Sequence, residues 1–245
     1  MTRPLARYRV EASDPVRQGE IVAQAGAHFG SLPEPVRVRL SSLLLDDLLT
    51  EYDARLLGSH LREVGAHWSE AFWGVEARWE ADEAQHHRVA RGAYLSCGGG
   101  EDFDLEGRQA DFSHLEPWLR DEFAFLCLAA YDEWVTVRAY TAGLAWYDAL
   151  GPTFGRWMRG VIADEARHYS QFLSLAKSGH PGRLQEVPDL MRAIGSVEGE
   201  PYRSTFLLDH DDPIFRVEWF DQARCVLQRH LCAGLPGGAT QPHSN

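Results

Sequence analysis

Apolar residues recur every three or four positions through most of this chain, and the places where that rhythm stops divide it into helices. From about Glu34 to Val64 the stripe runs Val36, Leu40, Leu43, Leu44, Leu48, Leu56, Leu57 and Leu61, after a helix-start signal at Gly30-Ser31-Leu32-Pro33. A second helix is predicted from about His67 to Leu95, ended by Cys97-Gly98-Gly99-Gly100. A third spans about Pro117 to Leu150, and a fourth about Pro152 to Lys177, broken by Ser178-Gly179-His180-Pro181-Gly182. Residues 98–116, rich in Gly and Asp, read as a crossover. The pattern predicts an all-α protein, a four-helix bundle at residues 34–177 with a long crossover between its helix pairs. Helical extensions are expected on both sides. Residues 1–33 are the N-terminal one, of mixed character. Residues 178–233 are the C-terminal one, helical near Arg183 to Ile194 and Ile214 to Leu231, and residues 234–245 are expected to be a disordered tail.

The second helix interrupts its own seam with polar residues, since Glu76, Trp79, Glu83, His86 and Ala90 share one face. Two of them belong to a phrase the chain uses twice: Ala81-Asp82-Glu83-Ala84-Gln85-His86 and Ala163-Asp164-Glu165-Ala166-Arg167-His168. Each copy sets a carboxylate and an imidazole three residues apart, on one helical face. The copies are offset by 82 positions, and the same offset selects among the other acids of the first half. Asp46, Asp47, Asp53, Glu63, Glu70, Glu76 and Glu80 fall on Leu128, Ala129, Val135, Ala145, Pro152, Met158 and Ile162, whereas Glu51 falls on Glu133. In each half the lone Glu precedes the Glu-x-x-His by 32 residues, with Gly65 and Gly151-Pro152 near the midpoints where an up-and-down pair would turn. Glu51 to the turn and the turn to Glu83 are roughly 21 and 27 Å of helix, so the carboxylates end at similar heights.

One Glu from each of two helices and a Glu-x-x-His from each of the other two is the ligand set of a dinuclear carboxylate centre. Glu51, Glu83, His86, Glu133, Glu165 and His168 are therefore the candidate ligands. Oxygen donors with two imidazoles suit two iron ions, or manganese, better than a thiolate-seeking metal. A lone Glu-x-x-His is a weak signal; two in register, each with an upstream Glu at equal spacing, are a strong one. A metal-bound imidazole usually gives its other N–H to a carboxylate, which predicts the cross pairs Asp164 with His86 and Asp82 with His168. Trp79, one turn before Glu83, is expected with Asp82 and Asp164 around the ligands, as core packing ahead of an electron conduit. His28, His60, His67 and His87 read as surface or packing residues. Tyr52 and Tyr131, each beside a ligand in sequence, point about 100° away from it.

Composition removes several function classes. At 245 residues and 44% hydrophobic, with eight Trp, one core is easily filled. A net charge of −12 disfavours nucleic acid, which needs clustered positive charge. No run of about 18 apolar residues and no charged-then-apolar leader at Met1-Thr2-Arg3-Pro4 is present, so no membrane span and a cytoplasmic location are expected. Cys97, Cys127, Cys225 and Cys232 form no Cys-x-x-Cys and are expected to be four reduced, buried thiols.

The phrase Trp79-Glu80-Ala81-Asp82-Glu83-Ala84-Gln85-His86, followed by Tyr94-Leu95-Ser96 and the Gly-Asp crossover, resembles the second-helix signature of the soluble acyl-carrier-protein fatty acid desaturases, in the ferritin-like superfamily. Ala163-Asp164-Glu165-Ala166-Arg167-His168 is similar to their fourth-helix signature, and Thr50-Glu51 and Glu133-x-x-Thr136 match the other two ligand helices. The resemblance covers roughly residues 40 to 177. It implies that the six candidates are iron ligands with Glu83 and Glu165 as bridges, and that Thr136 occupies the family's oxygen-activation position. It also implies an acyl chain on acyl carrier protein as substrate, dioxygen as oxidant, ferredoxin or a similar electron donor, and a homodimer. The chain departs from the plant-type members in being shorter, and nothing after residue 178 matches.

Desaturation of a carrier-bound acyl chain is thus the leading expectation. A hydroxylase or N-oxygenase of a specialised pathway is the first alternative, because the same ligands serve both and substrate placement decides. A ferritin-like iron-binding protein without enzymatic activity leaves the C-terminal extension unexplained, and a metal-free bundle would bury six ionisable groups at high cost. An acidic carrier or donor would need a basic patch; Arg88 with Arg91, or Arg156 with Arg159, are the candidates, with ordinary solvated arginines the preferred reading.

Overall fold

The computed structural model describes residues 15–100, 105, 107–198, 203–210 and 214–233. Among them every regular element is helical. The elements are α1 (Pro15–Phe29), α2 (Glu34–Val64), α3 (Glu70–Ser96), the single turn α4 (Glu116–Leu119), α5 (Glu122–Asp148) and α6 (Pro152–Gly179), then a 3₁₀ turn (Pro181–Glu186), α7 (Val187–Val197) and α8 (Val217–Leu231). No helix among the described residues is long and apolar enough to cross a membrane. The expected tail, 234–245, lies outside the described residues.

Four long helices form the bundle as two hairpins. α2 and α3 meet at the turn 65–69, where Ser69 caps α3 by accepting from Phe72 N at 3.1 Å. α5 and α6 meet at Ala149-Leu150-Gly151. Gly151 takes φ +98°, a value side chains resist, and His28 of α1 lies within 2.4 Å of where a Cβ would stand.

The N-terminal extension, expected to be helical, is α1, whose buried contacts are Ile21 and Ala25 with half-buried Val22, Gly26 and Phe29. Its small residues let α1 rest tightly on α3: a Cβ on Gly26 would come 2.9 Å from Ser96 O, and one on Gly92 2.7 Å from Val22. The third helix does not run from Pro117. Asp121 accepts from Ala124 N at 2.8 Å and starts α5 afresh, leaving α4 as a separate turn. The cysteines split: Cys97 and Cys127 are buried, and burial pushes their thiols up to about 11 and about 12, but Cys225 is exposed and Cys232 half-buried. Cys225 sits on α8, which turns one side to solvent.

Two apolar clusters bracket the middle of the bundle. One joins the α2–α3 turn, the first half of α5 and the C-terminal helices through Leu57, Leu61, Phe72, Phe123, Phe125, Phe172, Met191 and Leu227. The other joins α1 to the far ends of α2, α3, α5 and α6 through Leu40, Leu44, Val89, Tyr147, Phe154 and Met158. The six predicted ligands lie between them.

The C-terminal extension packs on α5 and α6 and returns to the bundle. Arg183 reaches Asp121 at 2.7 Å and Glu186 at 2.6 Å, over the ring of Phe123. Beyond α7, residues 203–210 form a strap with left-handed backbone at Ser204, Phe206 and Leu208. Such conformations cost about 1–3 kcal/mol each and persist where surroundings hold them. Here Asp209 accepts from Arg203 N and Thr205 N, and Asp132 of α5 accepts from Leu208 N at 2.7 Å. Arg108 of the crossover grips the buried Asp53 of α2 with two nitrogens and also donates to Ser204 at 2.7 Å. Crossover and strap are thereby fastened beside Glu51.

Candidate metal centre

Each hairpin contributes three acid or imidazole side chains at mid-height. All six expected ligands are buried, none more than 5% exposed. They fall into two groups of four, Glu51, Glu83, His86 and Glu165, and Glu83, Glu133, Glu165 and His168; within each, one ligand atom per residue lies within 4.8 Å of the others. Either group could hold a metal ion. Glu83 and Glu165 belong to both.

The imidazoles present Nδ1 to the cluster. His86 Nδ1 lies 3.6, 3.5 and 3.3 Å from Glu51, Glu83 and Glu165. His168 Nδ1 lies 3.2, 3.6 and 2.8 Å from Glu83, Glu133 and Glu165. Their Nε2 atoms face outward to Asp164 at 3.5 Å and Asp82 at 3.3 Å, the cross pairs expected from sequence. Among the described residues Glu51 Oε2, Glu83 Oε1 and His86 Nδ1 are buried with no hydrogen-bond partner. Three orphaned lone-pair atoms converging on one volume fit a bound cation, because leaving each unsatisfied costs about 1–3 kcal/mol.

Electrostatics point the same way. Burial raises the carboxyls of Glu51 and Glu133 well above the ordinary range, and the neighbouring acids add to this. Burial opposes charge on His86 and His168, but Glu51 and Glu165 around the first, and Glu133 and Asp82 around the second, hold both well above 6.5. Burial also works against Glu83, but the two imidazoles facing it win and depress its pKa. The bare cluster thus gathers protons in place of cations. Four carboxylates with two neutral imidazoles balance two divalent ions, which makes burial tolerable.

Two residues beyond the sequence reading complete the centre. Arg167 donates to both outer aspartates, Asp164 and Asp82, the latter at 2.8 Å. Its only sequence signal is that the repeated phrase differs here, Gln85 standing at the matching position and bonding merely to Ala81 O. Tyr140, two turns past Glu133, donates to Glu51 Oε1 at 3.1 Å. Trp79 does more than pack: its indole N–H donates to Glu133 Oε1 at 2.9 Å. The lone glutamates are therefore each oriented by one aromatic donor from a different helix.

Glu76 and Glu80, which the offset rejects, have another partner. Glu76 is buried but paired with Arg62 at 3.0 Å, and Arg62 also binds Glu80. Tyr131 turns away to Glu198, and His60 stacks on Phe112 at 4.3 Å. Of the arginines considered for docking, Arg159 is held by Asp148 through two 2.7 Å bonds. Thr136 is not in the cluster. It lines a cavity of about 170 Å³ beside it, walled by Leu43 and Thr50 of α2, Ala139 and Tyr140 of α5, and Phe206, His210 and Phe215 of the extension.

Comparison with protein-family models, curated proteins and solved structures finds no match. The site stands on its own geometry.

Arg167→Gln, which makes the second phrase equal to the first at this position, is expected to leave the helices intact and weaken metal binding. Freed aspartates orient the imidazoles less firmly, and such losses usually amount to about 10–100-fold in affinity. Competition with a chelator measures it; an unchanged affinity would reduce Arg167 to a surface salt bridge.

Proposed function

We propose that this chain is a dioxygen-dependent oxidoreductase working through two iron ions held by Glu51, Glu83, His86, Glu133, Glu165 and His168. The observation that carries this reading is that the two buried ligand groups overlap in two carboxylates, the arrangement two neighbouring cations require. Bound ferrous iron supplies the reduction of dioxygen and an oxidant able to attack an unactivated bond. The chain's own residues orient the donors, through Trp79, Tyr140, Asp82, Asp164 and Arg167, and keep bulk water out with the two apolar clusters.

The shape of the chamber bears on the reaction class. Desaturation of a carrier-bound acyl chain, which the sequence resemblance favours, needs a long apolar slot. The compact cavity at Thr136 supports insertion of one oxygen atom into a small molecule instead, as in hydroxylation or N-oxygenation. The balance is substrate, O₂, two electrons and two protons giving the oxygenated product and water. A ferredoxin-type donor is the proposed electron source. The extension, which supplies Phe206, His210 and Phe215 to the wall, has a purpose here that iron storage would not give it.

Anaerobic ferrous loading is expected to give about two iron ions per chain, and the loaded protein with a chemical reductant should consume dioxygen faster than Glu165→Ala. One ion, none, or equal uptake by the variant overturns the proposal.

Thr136→Val is expected to keep both ions and lower product formed per oxygen consumed. Valine matches threonine in shape, so only the hydroxyl facing the chamber, one turn from Glu133, is lost. An unchanged ratio at equal iron content would leave Thr136 a packing residue.

A further inference from the structure

The cavity beside the cluster has a size and a polarity that together restrict its occupant. A volume of about 170 Å³ is close to the roughly 150 Å³ that takes a benzene-sized molecule. Its apolar surface comes from Leu43, Ala139, Phe206 and Phe215, on walls that face each other across α2, α5 and the extension. A single ring or a short branched body fits; a chain of many methylenes does not.

The polar part of the lining is mostly carboxylate and, besides the hydroxyls of Thr50 and Thr136, has few protons to give. The two tyrosine hydroxyls have committed theirs, Tyr140 to Glu51 Oε1 at 3.1 Å and Tyr147 to Asp47 Oδ1 at 3.0 Å. Asp46, Asp47, Asp132 and Asp209 line the space against one histidine. That histidine, His210, is itself held between Asp132 at 3.3 Å and Glu198 at 2.8 Å. Asp132 and Asp209 already accept from Leu208 N, Arg203 N and Thr205 N, but the lining keeps an excess of negative charge, which repels an anionic ligand and attracts an ammonium.

We propose that this cavity is the substrate chamber of the oxidoreductase and that it takes a free, compact amine with a ring-sized apolar body. The proposal rests on the metal-centre reading for its chemistry, but the chamber's selectivity is a property of its walls. Tyr140 spans the two sites, since its hydroxyl orients Glu51 while its side chain lines the chamber.

Benzylamine, benzoate and octanoyl-pantetheine are titrated calorimetrically into the full chain, metal-free and loaded anaerobically with manganese. Benzylamine is expected to bind both forms, and benzoate and the thioester at least about tenfold more weakly. Ala139→Leu and Leu43→Phe fill the chamber from opposite walls, and each is expected to weaken benzylamine at least about tenfold while unfolding near the wild-type temperature. Benzoate or the thioester binding as tightly as benzylamine overturns the proposal. So does benzylamine binding that neither filled variant weakens. Metal content is read separately: loss of loading counts against the metal centre, and the metal-free titration still decides the chamber.

Discussion

Glu51→Ala and Glu133→Ala are each expected to reduce bound iron from two ions per chain to one, and Glu83→Ala and Glu165→Ala to reduce it to none. The difference comes from membership: Glu51 belongs to one group of four and Glu133 to the other, whereas Glu83 and Glu165 serve both. Removing a terminal carboxylate leaves the opposite group complete. Removing a shared one leaves each group with three donors and takes one of the two common anions from both buried imidazoles. Glu76→Ala and Glu80→Ala are the controls, because their carboxylates, on α3 with Glu83, bind Arg62 of α2. Both controls should bind two ions, although Glu76→Ala leaves Arg62 without its buried partner and costs stability. Metal analysis after anaerobic loading and desalting measures all six. Equal losses in all four ligand variants would mean one shared ion, and iron lost from a control would mean that the register is wrong.

Metal binding is expected to raise the unfolding temperature by about 10 °C or more at pH 8 and by much less at pH 5.5. At free metal a thousandfold above its dissociation constant, each ion stabilises the fold by about 4 kcal/mol, and 1 kcal/mol is worth about 2–4 °C in a chain of this size. The pH dependence comes from the protons that the bare cluster holds. His86 and His168 have raised pKa values in the folded protein, so their contribution is present below the unfolded value of 6.5 and is lost as pH rises through the folded ones. Glu51 and Glu133 are raised as well, and the folded chain keeps protons that the unfolded chain releases near 4.5, which has the same sign. Glu83, depressed, has the opposite sign, losing its contribution only as pH falls through its lowered value. Two pairs outweigh one group, so the metal-free protein weakens from pH 5.5 to 8. Metal displaces those protons and removes the penalty. Scanning calorimetry of both forms at the two pH values tests it; a gap that narrows toward pH 8 would contradict it.

The buried cluster of acids and imidazoles was legible in the sequence because its information is periodic. The 82-residue offset singles out Glu51 and Glu133, and the helical period carries Asp82 and Asp164 to the outer edges of the opposite imidazoles. What escaped sequence reading is aperiodic. Tyr140, and the bond from Trp79, itself expected around the ligands, reach the two terminal glutamates from different helices, so no shift of the chain maps one onto the other. The chamber wall includes Phe206, His210 and Phe215, far along the chain from Tyr147, the nearest α5 lining residue in sequence, and no local pattern announces that approach. Helix α1 was expected only as an unplaced helical extension; its approach to α3 is closest at Gly26 and Gly92, where closeness of backbone leaves no mark in hydrophobicity. The interruption at Asp121 could have been read from an Asp three residues before Ala124, but Pro117 looked like the stronger start.

Every residue of α5 from Phe123 to Glu133 is buried, because the bundle covers one side of that helix and the C-terminal extension the other. Amide hydrogens in this segment can then exchange with solvent only when the whole molecule opens, so they report global stability. The same wrapping makes the four-helix unit inseparable from α7 and α8. Cutting the chain after α6 would strip Leu184, Met191, Ile194 and Leu227 from the main core and lay one face of α5 bare. The extension is thus a condition of folding as well as a wall of the chamber.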